Sequence, residues 1–161
     1  MQRIGIGYDI HRFRKARKLV LGGVIIPYDK GLDGHSDADC LIHAVCDALL
    51  GAAGLPDIGV QFPNTDIAFK NISSTVLLKK VKELLAKNRY AIGNVDTVIV
   101  AQEPKVAPYT RAMKANISKA LGIGLSCVCV KATTPEGLGP LGAKKGIACW
   151  ATAIIKKGAK S

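Results

Sequence analysis

Apolar residues recur along the chain with two periods, and these lay out most of the secondary structure. Residues 3–11 (RIGIGYDIH) are short, alternating and punctuated by glycine, which predicts a strand near the interior of a sheet. Residues 19–27 (LVLGGVIIP) are two apolar runs about Gly22-Gly23, the pattern of a hairpin. A helix is expected from Ser36 to about Ala53. Ser36 and Asp39 form a start resembling a capping box, and Gly51 and Gly54 mark the far end. Residues 55–72 carry two prolines, a glycine and no regular period, and read as a loop. A second helix over about 74–88 sets Leu77, Val81, Leu84 and Leu85 on one stripe with lysines opposite. A strand is expected at 94–101, then a third helix from Pro108 to Gly122. A final pair of strands, 126–132 and 146–155, flanks the glycine-rich loop 135–146.

This order predicts one α+β domain over residues 1–161: a mixed four-stranded sheet with helices on one face, plus a small hairpin. The other face is left either polar or covered by another subunit. With 48% hydrophobic residues but only 5% aromatics, the core must be built mainly from Val, Ile, Leu and Ala, and the long apolar strands favour an oligomer. No stretch approaches the roughly 20 apolar residues that span a membrane. No signal or transit pattern precedes the first strand, so a soluble, cytoplasmic protein is expected. Cys40, Cys46, Cys127, Cys129 and Cys149 form no CxxC pair and read as packed free thiols; Cys127 and Cys129 are expected on one face of a strand. The net charge of +11 is spread along helix faces without interleaved aromatics. That pattern argues for a generally basic surface and against nucleic acid, and such a surface attracts a small polyanionic substrate.

Candidate chemistry begins with the only three histidines, His11, His35 and His43. Asp9 and His11 are two apart on the first strand and project from one face; His43 lies one to two turns inside the first helix. One carboxylate and two imidazoles are the right kind of ligands for zinc with a fourth position open. The two-residue spacing alone fits ordinary hydrogen-bonded histidines as well. Asp39 and Asp47 share a helical stripe with His43 and are candidates to orient its ring, unless Asp39 only caps and Asp47 pairs with a lysine. His35-Ser36, just before a helix, offers a phosphate seat or a plain cap. The run from Lys131 to Glu136 (KATTPE) leaves a strand with two hydroxyls, a lysine and a carboxylate. It suits phosphate and a hard cation such as Mg²⁺, and equally an ordinary strand-to-loop transition. The segment AQEPK (Ala101 to Lys105) leaves a strand in the same way.

The strings GIGYDIHRF, GLDGHSDADCLIHAVCDALLGAAGLPDIGVQFPNTD, NVDTVIVAQEPK and VKATTPEGLG, followed by GIAC, closely resemble the 2-C-methyl-D-erythritol 2,4-cyclodiphosphate synthases over nearly the whole chain. The resemblance implies a phosphorus–oxygen lyase of the non-mevalonate isoprenoid pathway. It would cyclise 4-diphosphocytidyl-2-C-methyl-D-erythritol 2-phosphate with release of CMP. Asp9, His11 and His43 match the family's zinc ligands, one ion per subunit, and Glu136 its Mg²⁺ or Mn²⁺ ligand. His35 and Thr134 match the residues that stabilise the transition state. The substrate would also meet Asp9, His11, Ser36 and the loop formed by Asp57, Ile58, Gly59, Phe62, Pro63, Asn64, Thr65 and Asp66. The cytidine diphosphate pocket would be made by Ala101, Gln102, Glu103, Pro104, Lys105, Val106 and Ala107 with Ala132, Thr133 and Thr134, and Glu136 would also meet the substrate. The family is homotrimeric, its sheets packed around the axis and its active sites between subunits.

Departures fall outside the catalytic set. Asn64 replaces the aspartate of FPDTD, Pro140 and Ala143-Lys144-Lys145 replace a Phe and an Arg-Gly-Glu run, and Trp150 replaces a frequent Glu. In the family these last positions line an axial cavity reported to hold isoprenoid diphosphates. Here they put such a ligand in doubt, and Lys144 or Lys145 would crowd positive charge near the axis. Rival readings are a metal-dependent nucleotide-diphosphate hydrolase and a non-catalytic nucleotide-binding module.

Overall fold

The computed structural model describes residues 1–63, 65 and 72–158. Its strands are β1 (Gln2–Lys15), β2 (Leu19–Leu21), β3 (Val24–Ile26), β4 (Lys30–Leu32), β5 (Tyr90–Val100), β6 (Val128–Thr133) and β7 (Gly146–Lys157). The helices are α1 (Cys40–Ala53), α2 (Ile58–Gln61), α3 (Ser74–Lys87), α4 (Thr110–Leu121) and the single turn α5 (Gly139–Gly142). One mixed five-stranded sheet runs β4-β1-β7-β5-β6, and β2-β3 stands apart as a two-stranded hairpin.

The α+β reading holds, with one more strand than expected. β4 pairs antiparallel with Phe13–Lys15 because β1 runs four residues past His11, its Phe13 still packed on the core. β6 and β7 are not neighbours. β7 lies between β1 and β5, antiparallel to both, while α4 carries the chain from β5 to a parallel β6 at the edge. Central placement suits β7, whose residues Gly146–Cys149 are all buried. Cys127 falls in a turn before β6, and Cys129 is exposed, so the two do not pack together.

β1 and α1 approach each other closely. Odd-numbered residues of β1 face the helices, and at Gly5 and Gly7 they carry no side chain. A Cβ on Gly7 would lie 2.0 Å from the Ala44 carbonyl oxygen, and one on Gly5 2.0 Å from that of Ala48. Ala44, Ala48 and Ala52, one turn apart, form the matching face of α1, so helix and strand meet backbone to backbone.

α1 begins at Cys40, not Ser36. Asp39 is its N-cap, and the Asp39 carboxylate accepts the Ile42 N–H at 3.1 Å and the N–H groups of Gly22 (2.9 Å) and Gly23 (2.7 Å). Those glycines, at φ 57° and 70°, make the two-residue β2-β3 turn in the left-handed conformation that hairpin needs. One buried carboxylate thus ties the hairpin to the helix start. On the far side of the sheet, Ile4 (73% exposed), Ile6 (70%), Tyr8 and Ile10 stand in a row, with the Tyr8 ring 4.7 Å from that of Trp150.

Candidate metal centre and active site

The close approach of α1 to β1 sets His43, the residue before Ala44, over the end of β1. Asp9 Oδ2 lies 2.8 Å from His11 Nε2 and 3.0 Å from His43 Nδ1, and the two nitrogens are 3.3 Å apart. Ligand atoms at about 2.0–2.1 Å from a tetrahedral Zn²⁺ are separated by roughly 3.3 Å. The three atoms therefore fit one small divalent ion, and they are the one such cluster among the described residues.

Charge in the triad is mutually supported. Burial works against ionised Asp9, but hydrogen bonds and charge from His11 and His43 outweigh it and hold the carboxyl below its ordinary range. Burial likewise disfavours protonated His11, yet the Asp9 hydrogen bond and charge, with the Asp33 carbonyl, raise its pKa. That carbonyl oxygen is 2.5 Å from His11 Nδ1, which turns Nε2 toward the cluster.

The triad opens into a cavity of about 210 Å³ whose wall includes His35, Ser36, Ile58, Gly59, Phe62, Ile72 and Leu77. His35 is exposed at its lip. Arg17 holds this stretch, donating to the Gly34 and Ser36 carbonyls at 2.5 Å each. With α1 starting four residues later and its N-terminus filled by Asp39, His35-Ser36 is not a helix-end phosphate seat.

Asp39 and Asp47 do not orient His43. Asp39 is spent on the cap and hairpin. Asp47 accepts the Ile58 N–H at 2.9 Å, holding α2 and its Gly59 against the cavity. The expected loop after α1 thus contains a helical turn, capped by Asp57, which accepts the Val60 N–H. His43 Nε2 instead faces Ser74 Oγ at 3.0 Å and Ser36 Oγ at 3.3 Å. Nothing in the sequence pattern singles out Ser74, Ile72, Leu77 or Asp37 for this site. The one signal for Ser74 is a serine opening a predicted helix, and it resembles an ordinary cap. Pro63 and Thr65 are exposed; Asn64 and Asp66 lie outside the described residues.

A second cavity, about 340 Å³, is walled by Ala101, Gln102, Pro104, Lys105, Val106, Ala107, Ala132, Thr133 and Thr134. It gathers two segments 25 residues apart because β5 and β6 run parallel and end side by side. Glu103 turns away, pairing with Lys144 at 2.6 Å, so this lysine is neutralised within its own chain. Glu136, at φ 52°, accepts the Thr134 hydroxyl, and Gln102 Oε1 accepts the Gly137 N–H at 3.0 Å. The two cavities share no wall residue, and Glu136 is not part of the triad.

The family model of the YgbB family matches residues 2–156. A 2-C-methyl-D-erythritol 2,4-cyclodiphosphate synthase of Clostridium botulinum (strain Eklund 17B / Type B) is 56% identical over 96% of this chain and 99% of its own length. The protein of that name from Thioalkalivibrio sulfidiphilus (strain HL-EbGR7) is also 56% identical, over 96% of both chains. Among solved structures, the bifunctional IspDF from Campylobacter jejuni superposes with TM-score 0.94 at 40% identity, covering 98% of this chain and 43% of that one. An IspF of Plasmodium falciparum in complex with CDP gives 0.85 at 38% identity, over 98% of this chain and 97% of its own. With a family match and near-full-length relatives at this identity, the chain belongs to the YgbB family, the 2-C-methyl-D-erythritol 2,4-cyclodiphosphate synthases.

Proposed function

We propose that the chain converts 4-diphosphocytidyl-2-C-methyl-D-erythritol 2-phosphate to the 2,4-cyclodiphosphate. An oxygen of the 2-phosphate attacks the β-phosphorus, the bond from that phosphorus to the bridging oxygen breaks, and CMP leaves with the bridging oxygen and its electron pair. A phosphate is already anionic near neutral pH, so the nucleophile needs little help from a base; positioning and charge neutralisation are the catalytic task. The observation that carries this reading is the triad of Asp9, His11 and His43, spaced for one ion and facing a cavity.

Zn²⁺ held by the triad would supply Lewis acidity and orientation at the β-phosphate. His35, at the lip, would hold phosphate oxygens. Thr134 would share with His35 the holding of the phosphates and the stabilising of the transition state, and Glu136 would hold the second cation, Mg²⁺ or Mn²⁺. The wall from Ala101 to Ala107 with Ala132 to Thr134 would take the cytidine diphosphate, in line with the CDP complex of the Plasmodium falciparum relative. The cavity beside Ile58, Gly59 and Phe62 would take the methylerythritol phosphate.

Two observations support a homotrimer with shared sites. The row Ile4, Ile6, Tyr8 and Ile10 leaves an apolar sheet face open, as at subunit contacts. The two cavities sit toward opposite edges of the sheet, on β1 and on β5-β6, and a head-to-tail ring brings opposite edges of neighbouring copies together. Tyr8 and Trp150, in tilted ring contact on that face, fill space along the proposed axis and argue against a ligand there. The free cysteines, three of them buried, suit a reducing cytoplasm. No helix among the described residues is long and apolar enough to cross a membrane.

The test is metal analysis with product analysis on the purified protein. Cyclic diphosphate plus CMP is expected, and a linear bisphosphate plus CMP would establish a hydrolase instead. His43→Ala should stay folded and assembled while losing zinc and turnover; an unfolded variant would favour a structural metal in a binding module.

A further inference from the structure

We propose that Ser74 and Asp37 are positioning residues that fix the His43 tautomer, presenting its Nδ1 lone pair to the metal. The inference rests on the reading of the triad as a metal site. It follows from counting protons. Asp37 holds Ser74 with both oxygens: Oδ2 accepts the Ser74 N–H at 3.0 Å, and Oδ1 accepts the Ser74 hydroxyl in a short hydrogen bond. A hydroxyl has one proton, and a carboxylate can only accept. Once that proton is committed to Asp37, Ser74 Oγ can offer only a lone pair to His43 Nε2, 3.0 Å away. Nε2 must therefore be the donor. The other nitrogen, Nδ1, is then the one left to give its lone pair to a metal ion, which would take the place of its 3.0 Å contact with Asp9 Oδ2, and it is the one that points at Asp9 and His11.

Ser36 sharpens the argument. Its Oγ is 3.3 Å from the same Nε2 and already accepts the Ala38 N–H at 3.0 Å, so its own proton is available to donate. Without Ser74, Ser36 can donate to Nε2, and the neutral imidazole then carries its proton on Nδ1, where the metal must bind. Asp37→Asn reaches the same end by another route. The amide nitrogen donates to Ser74 Oγ, the hydroxyl swings to donate to Nε2, and the chain of hydrogen bonds reverses.

The pair joins α3 to the metal ligand on α1, since Ser74 is the first residue of α3 and Asp37 also donates its N–H to the Ile72 carbonyl at 3.3 Å. A purely structural pair would hold the start of α3 and nothing else, and the experiment separates the two roles. Zn²⁺ affinity is measured by chelator competition for the wild type, Ser74→Ala, Asp37→Asn, the double variant and Ser74→Thr, with thermal melts of each metal-free protein. Ser74→Ala and Asp37→Asn should each bind Zn²⁺ about 10–100-fold more weakly, the range typical of lost ligand-orienting partners. The double variant should be no worse than the weaker single, and Ser74→Thr should return to within a few-fold of wild type. Lower melting temperatures with wild-type zinc affinity would overturn the proposal. Should a variant not fold, solvent exchange of the His43 Nε2 proton in the wild-type zinc form decides: a proton protected by its hydrogen bond to Ser74 Oγ is expected, and one exchanging as fast as a solvent-exposed imidazole proton refutes the inference. Failure of the metal reading itself would show separately, as a wild-type protein that takes up no zinc.

Discussion

Adding one methyl group at Gly7 should dismantle the metal site without touching a ligand. The new Cβ would sit 2.0 Å from the Ala44 carbonyl oxygen and 2.7 Å from the Ala48 nitrogen. Both are helix backbone and cannot rotate aside. Carbon–oxygen contacts settle at about 3.3–3.6 Å, so α1 must withdraw from β1 by at least ~1.3 Å at this point. His43 precedes Ala44 and moves with it, while Asp9 and His11 stay on β1. Its Nδ1 now lies 3.0 Å from Asp9 Oδ2 and 3.3 Å from His11 Nε2. A withdrawal of ~1.3 Å takes these separations past ~4 Å, beyond what bonds of about 2.0–2.2 Å span at a tetrahedral ion. Losing one of three ligands should weaken zinc binding by more than about 100-fold, the upper range for merely disturbing a ligand's support. Overpacking should also cost about 1–3 kcal/mol, or roughly 3–10 °C in melting temperature for a chain of this size. Gly51→Ala is the control. It lies on α1 with only the Ile6 carbonyl oxygen near its would-be Cβ, at 3.9 Å, so it should stabilise by up to ~1 kcal/mol and leave zinc affinity unchanged. Chelator competition and thermal melts on both variants read the outcome. Gly7→Ala with wild-type zinc affinity would refute the claim that helix–strand distance sets the site.

Asp39→Ala removes the acceptor for three N–H groups, those of Gly22, Gly23 and Ile42. It should cost about 2 kcal/mol or more by denaturant melt, since the Gly22 and Ile42 donors are buried and buried unpaired donors cost about 1–3 kcal/mol each. The metal-free triad sets a pH dependence. Raised His11 stabilises fully below pH 6.5, its ordinary value, and that stability is lost as pH climbs through the raised one; lowered Asp9 stabilises above pH 3.8, and this is lost as pH falls through its folded value. Metal replaces the proton, so the melting-temperature gain from zinc should grow between about pH 5.5 and 8, and a pH-independent gain would contradict it. Ile6→Asp puts a charge on the open apolar face, where Ile6 is 70% exposed in the single chain. It should turn the proposed trimer into monomers by light scattering with the fold retained by circular dichroism. If sites are shared between copies, refolding His43→Ala with Glu136→Ala in equal amounts should recover about a quarter of wild-type turnover, by random pairing around a cyclic ring; none would be recovered if each site lay within one chain.

Much of the fold was legible because it rests on local periodicity. The Gly22-Gly23 hairpin, the α3 stripe and the Pro108 and Gly122 boundaries of α4 all sit close to where the pattern places them. The failures are non-local. Nothing in residues 126–155 says that β7 inserts beside β5 while β6 takes the edge, because a twelve-residue link permits a hairpin as readily as a crossover. β4 has three residues and exists only because β1 extends to meet it. The cap of α1 is Asp39 and not Ser36 because the deciding partners, two hairpin N–H groups, come from residues 22 and 23.

The site divides along the same line. Ligand types and their same-face placement are local properties, so Asp9, His11 and His43 could be named from the chain, and the fold brings them within 3.3 Å of one another. What holds them there could not be named. The expected partners of His43 were Asp39 and Asp47, chosen because a helix repeats every 3.6 residues. But the face of α1 that carries Ala44 and Ala48 is pressed on β1, and both carboxylates point to other backbone: Asp39 to the hairpin, Asp47 to α2. The His43 ring is left to groups arriving from outside its helix, Ser36 and Ser74. Spacing along one element identifies groups that can share a target, but only packing decides which target each receives. In this chain that packing is set by two glycines, Gly5 and Gly7, whose missing side chains let α1 down onto the strand that carries the ligands.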